Sequence, residues 1–382
     1  MMNFCPNCGV RLATQNFCGN CGYDLRKHPV PDTLGSFDFS ALGDATQQQL
    51  QAQQQYMADF EIENGVLVKY KGTDSRVEIP DGVAKIGEAA FRGNQAITSV
   101  HLPACVKMIG PQAFSLCKNL RHINIPNSVT TIGYAAFDCC KSLTDITIPN
   151  SVTIIERAAF NSCSALSSII IPDGVTTLED SVFNYCFSLV SIKLPSRLTA
   201  IGDNAFNVCS KLRDITIPNT VTSIGDSAFA GCSSLPRITI PNSVATLGKY
   251  AFFGCINLVE VNIPTKLSVI PEDAFNRCSS LKRLLIPGNI TRIERSAFCD
   301  CSNLEWVELS EGLKELGRQS FGGCKQLKTI KIPYSVVSMD TGMWVTFQNC
   351  DNLQTAYIPR GKKDKFQYAF PYGTYNLTFI EY

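Results

Sequence analysis

The chain has 382 residues, 18 of them Cys, and 34 basic against 33 acidic residues give a net charge of +1. That balance lacks the concentrated basic surface that nucleic acid or an anionic membrane requires, and no apolar run approaches the roughly 18 residues of a spanning helix. Cys at about 5% lies below the roughly 8–10% of disulfide-built secreted scaffolds, so the cysteines need an explanation of their own.

The chain opens on Met1-Met2-Asn3-Phe4-Cys5, with no charged start leading into an apolar core. This is not the pattern of a secretory signal, and the expected location is cytoplasmic. Two knuckles follow, Cys5-Pro6-Asn7-Cys8-Gly9 and Cys18-Gly19-Asn20-Cys21-Gly22. Each pair can place two thiolates on one metal, and the Gly after each second Cys lets the backbone turn its amides toward sulfur. Cys5, Cys8, Cys18 and Cys21 together make a closed tetrahedral sulfur set, which suits one structural Zn2+ with no open position for catalysis. Redox or disulfide cysteines, or iron in the same cage, are the alternatives. A segment as short as 1–25 cannot fold on apolar burial alone, so metal would supply its folding energy.

Residues 26–58 contain Pro29, Pro31, Gly35 and Gly43, and seven of the nine positions from Gln47 to Gln55 are Gln. With little to bury, this stretch reads as a linker, ending in a short polar helix.

From residue 59 to 382 one period of 23 residues governs. Pro recurs from Pro80 to Pro333, missing only at Ser310, and Phe recurs in the same frame from Phe91 to Phe321. Cys stands three residues after each Phe from Cys117 to Cys324, and a shift of three residues then gives Phe347, Cys350 and Pro359. Such strict self-similarity predicts a solenoid of about 12 repeats, each too small to bury its own apolar face. In one unit, Ile123 and Ile125 alternate with His122 and Asn124 as a short strand, which Pro126 ends. Gly133 is expected to permit a tight turn, and Ala136-Phe137 to begin a small helical or irregular return. Stacked units then pair their strands into one parallel sheet. The eleven cysteines of the repeat slot read as small apolar corner residues whose thiols bond a carbonyl of the neighbouring turn. Cys105, Cys139 and Cys299 fall outside that slot and have no assigned role.

The ends read as caps. Residues 59–80 carry two strands around Asn64-Gly65, a strong hairpin signal, and Asn94 holds the first Cys slot. Residues 360–382 leave the period and bring Phe366, Tyr368, Phe370, Tyr372 and Phe379 to close the core.

The strand's outward positions form two columns on an expected concave face, one from Ser99 to Thr355 and one from His101 to Tyr357. Because they are free of core duty, a partner can be read there. His122, Asp145 and Ser168 have the residue types of a hydrolase, but Asp stands between the base and the nucleophile, so no catalysis is expected. His101 and His122 form only a diagonal pair. The favoured patch is Arg237, Glu260, Arg283, Leu285, Trp306 and Glu308, since Arg and Trp dominate binding hot spots.

The I-x-I-P…V…I-G…A-F…C unit closely resembles the BspA-like, or treponemal-type, leucine-rich repeats over residues 60–382. Residues 5–25 look like the small zinc-ribbon module found at the start of many bacterial proteins. The resemblance implies a horseshoe fold and a role in binding proteins or surfaces. Many relatives are secreted or surface adhesins, and that is the alternative to a cytoplasmic scaffold. The expectation is a monomeric, non-enzymatic protein-interaction scaffold with the ribbon as a second docking module.

Overall fold

The computed structural model describes residues 55–342, 345–370 and 377–382. Cys5, Cys8, Cys18 and Cys21, and the linker up to residue 54, lie outside the described residues. The chain divides into two compact units, Met1–Ala159 and Phe160–Tyr382. The described residues of each form a stretch of β-solenoid with little helix, about 13 turns counted over both.

In the first unit a helical turn at 55–58 leads into the antiparallel pair Phe60–Glu63 and Val66–Tyr70. Asn64 and Gly65 between them take φ of 49° and 74°, the two left-handed residues that a primed hairpin turn demands. From there two parallel ladders rise together. One runs through Arg76–Glu78, Ser99–His101 and His122–Asn124. The other continues from the hairpin through Lys85–Ile86, Met108–Ile109, Thr131–Ile132 and Ile154–Ile155. The single sheet expected from the pattern is therefore two. The second ladder uses the residues just before the Gly slot, and its strands are only two residues long, too short for alternation to reveal.

Between the ladders Val100, Leu102, Val106, Ile109, Phe114, Cys117 and Leu120 all point inward and are buried. Gly133 serves close approach rather than a left-handed turn: a Cβ there would meet the Gly110 carbonyl carbon at 2.8 Å and Ile109 O at 3.0 Å.

Of the two forms expected for the return, helical or irregular, the described residues take the irregular one, a chain of turns. The amide of Phe91 donates to Ala113 O and that of Phe114 to Ala136 O, both at 2.8 Å, so this corner too is laddered from turn to turn. Rings stack along it: Phe91–Phe114 centroids are 4.9 Å apart and Phe114–Phe137 5.4 Å. Tyr70, Phe60 and Tyr56 extend the row of rings at the hairpin with centroids 5.1, 5.0 and 5.1 Å apart, the first two contacts tilted and the last edge-on. Asn94, in the slot where later turns carry Cys, donates to Gly72 O at 3.1 Å and accepts from the amides of Ala96 and Ile97.

The second unit repeats the same two ladders. Its outward-facing strands include Ser168–Ile170, Arg237–Ile238, Glu260–Val261, Arg283–Ile286, Trp306–Leu309, Thr329–Lys331 and Thr355–Ile358. Successive column rings from Phe160 to Phe370 lie 4.8–5.7 Å apart. The tail keeps the period rather than leaving it. Phe370 follows Phe347 by 23 residues and stacks on it at 4.8 Å, while Thr378–Glu381 pairs parallel with Thr355–Ile358 in full register. The tail lacks the Pro and Ile-Gly marks, which is why this last turn is hard to read in the sequence.

The slot cysteines behave as packing residues. In the first unit the thiols of Cys117 and Cys140 donate to Phe91 O and Phe114 O at 3.0 and 3.2 Å. In the second unit seven more from Cys186 to Cys324 donate to the Phe carbonyl of the preceding turn at 3.1–3.4 Å. Burial pushes the thiols of Cys186 and Cys255 up to about 12, which keeps them protonated and unreactive.

Candidate protein-binding face

The outward positions of the first ladder are set by strand alternation: Leu284, Ile286, Val307 and Leu309 point into the core, so Arg283, Leu285, Trp306 and Glu308 point out. Arg283 lies directly opposite Trp306 in the parallel register, and Leu285 opposite Glu308. Arg237 and Glu260 face each other in the same way. Arg237, Glu260, Arg283 and Trp306 thus hold one slot on four successive turns, 23 residues apart, with Leu285 and Glu308 beside the last two.

Two large apolar side chains in that group are bare: Trp306 is 45% and Leu285 51% exposed. Trp306 divides two open hollows on this face. One, of about 640 Å³, is lined by Arg283, Glu305, Trp306, Gln326 and Lys328. The other, of about 690 Å³, runs from Trp306 and Glu308 to Lys331, Tyr357 and Tyr382. Lys331 Nζ stands 4.2 Å from the centre of the Tyr382 ring, and the Tyr382 hydroxyl donates to Ile332 O at 2.7 Å, fixing that aromatic wall.

Reading only two outward columns misses several of these residues. Glu305 and Lys328 stand one position before the strand, at the same 23-residue spacing, so a third column was available in the sequence. Tyr382 arrives with the last turn, whose frame is hidden by the missing repeat marks. Nor are all outward slots idle. Asn124 clamps Leu102 by accepting from its amide at 2.8 Å and donating to its carbonyl at 3.2 Å, and Asn262 does the same to Ile240. These two asparagines stitch neighbouring turns.

In the first unit His122 Nδ1 lies 3.8 Å from Asp145 Oδ1, with both side chains well exposed. Ser168 belongs to the second unit. Among the described residues no group of three or more His, Cys, Asp or Glu is placed to hold a metal ion, and no helix is long and apolar enough to cross a membrane.

A profile of the BspA type leucine-rich-repeat region matches residues 69–190, 199–305 and 270–382, in 6 copies. The chain belongs to the BspA-type leucine-rich-repeat family. Among solved structures, a leucine-rich repeat protein from Bacteroides ovatus is similar at 29% identity and a TM-score of 0.63, covering 84% of this chain and 97% of that one. A leucine-rich cell surface protein from Faecalibacterium prausnitzii is similar at 28% identity and a TM-score of 0.53, covering 84% and 92%. The pneumococcal vaccine antigen PcpA shares the fold at 20% identity and a TM-score of 0.57, covering 81% and 79%. No curated protein matches the chain.

Proposed function

We propose that this BspA-type repeat protein is a binding module without catalytic chemistry, and that the outward face of its first ladder, centred on Trp306, docks a partner protein. The observation that carries this reading is the half-exposed Trp306 set between two hollows on a laddered, well-packed scaffold. A rigid aromatic presented this way loses little entropy on binding, and Trp and Arg are the residues that most often anchor interfaces. Affinity capture from the native cell with wild type against Trp306→Ala tests it. The variant is expected to lose at least about tenfold in affinity while keeping its unfolding midpoint, and unchanged capture would move the site elsewhere.

The N-terminal cysteines add a second proposed module, a zinc ribbon held by Cys5, Cys8, Cys18 and Cys21, carried by the donor set alone. Metal analysis of the full-length chain should find about one zinc per chain, and Cys8→Ser should lose it; a variant keeping its full metal content would overturn the assignment. The same docking face would also serve an adhesin. The likeness to a leucine-rich cell surface protein at 28% identity favours that second reading. Protease accessibility on intact cells separates a surface protein from a cytoplasmic one.

A further inference from the structure

The hollow on the Lys328 side of Trp306 has a definite charge character. Three successive turns bring Lys282, Arg283, Lys328 and Lys331 to the exposed first-ladder face, against Glu305 and Glu308. Cross-turn ion pairs do form elsewhere in this unit: on the second ladder Arg292 meets Glu315 at 3.4 Å, and at the corner beyond it Arg295 meets Glu272 at 3.6 Å. Glu305 stands between Lys282 and Lys328 at the same spacing. Yet neither Arg283 nor Lys328 makes an ion pair among the described residues, and both line the hollow with Trp306, Gln326 and a single carboxylate, that of Glu305.

We infer that this hollow takes an acidic peptide segment of the partner, with an aromatic or aliphatic side chain laid on the Trp306 face and a neighbouring carboxylate between Arg283 and Lys328. The inference rests on the docking role proposed for this face and names its chemistry. Charge complementarity selects the occupant. A basic segment would meet two cations against one carboxylate, and a neutral one would leave the Arg283 guanidinium without the planar, two-oxygen acceptor it binds best. The open form of the hollow fits a segment of a larger partner rather than an enclosed small molecule.

Three blocked hexapeptides alternating Phe with Glu, Gln or Lys, together with an oligogalacturonate, distinguish the possibilities in titration calorimetry with the full-length protein. The Glu peptide is expected to bind at least about tenfold tighter than the Gln peptide and to weaken with added salt, and the Lys peptide to stay unbound. Arg283→Glu/Lys328→Glu should abolish the preference, while Arg283→Lys retains most of it. Circular dichroism confirms that each variant is folded. Equal binding of the Glu and Gln peptides, no binding of any peptide, an unchanged preference in the double variant, or binding of the oligogalacturonate alone would each overturn the inference. Partner capture that depends on Trp306 but not on the two cations would leave the docking role standing and remove only this chemistry.

Discussion

Two residues after each column Phe from Phe91 to Phe347 the backbone turns left-handed, so that the amide there can reach the next turn: Val208 N–H donates to Ala230 O, and Gly231 N–H to Phe253 O, both at 2.7 Å. Gly231 and Gly254 meet this need at φ of 70° and 69°, but Val208 holds φ of 58° in the same slot. A β-branched side chain in the left-handed region costs about 1–2 kcal/mol, because Cβ crowds the following carbonyl. Glycine loses part of that gain through its looser unfolded chain. Val208→Gly is therefore expected to stabilise the protein by about 0.5–1 kcal/mol in equilibrium denaturation, one of few positions where removing a side chain helps. A clear loss of stability would mean that the valine's packing outweighs its strain. The slot holds Leu116, Cys139, Tyr185 and Arg277 in other turns, so no residue type marks it in the sequence.

The element that closes the second unit is the last turn. Its ring, Phe370, is buried, lies flat on Phe347 with 8° between planes, and meets Phe379 edge-on at 5.3 Å. Ala369 O accepts the Phe347 amide, which would otherwise face an open end. Phe370→Ala removes the ring that shields this end and should cost about 3–5 kcal/mol locally. Since each repeat contacts chiefly its neighbours, hydrogen exchange should accelerate in the turns carrying Phe347 and Phe321 and change little near Phe183. Uniform acceleration through the unit would refute the nearest-neighbour picture. The same elements mark how far the sequence could be read. The first ladder, the Phe column, the Cys slot and the Asn64-Gly65 hairpin were legible, because each repeats one residue type at a fixed place or obeys a specific turn rule. The second ladder was not, since two-residue strands carry no alternation, and the last turn kept the spacing without the marks. At the candidate site, Trp306, Arg283, Leu285 and Glu308 were legible from strand alternation. Lys328 was legible only as part of a third column one position before the strand, and Tyr382 was not, because the last turn that carries it lacks the repeat marks.

Across the whole molecule the buried thiols set a shared limit at high pH. The ordinary thiol loses its proton near pH 8.5, whereas burial pushes Cys117, Cys186 and Cys255 up to about 12, and Cys209, Cys232 and Cys278 well above their ordinary value. Between those limits the unfolded chain has released protons that the folded chain still holds. Stability therefore falls with rising pH, being fully present below about pH 8.5 and lost progressively toward pH 12. Each such thiol contributes a slope of roughly 1 kcal/mol per pH unit, so several together bring alkaline unfolding well before any single cysteine ionises in the folded state. Urea denaturation from pH 7 to pH 10 should show this decline. A variant with Cys186, Cys209, Cys232 and Cys255 changed to Ala should start less stable, since each substitution leaves a small void and removes a thiol bond to the Phe carbonyl. Its stability should nonetheless fall less steeply with pH, so that the two proteins converge as the solution becomes more alkaline. Parallel lines would mean that these thiols ionise as readily in the folded chain as in the unfolded one, and would contradict their role as sealed packing residues.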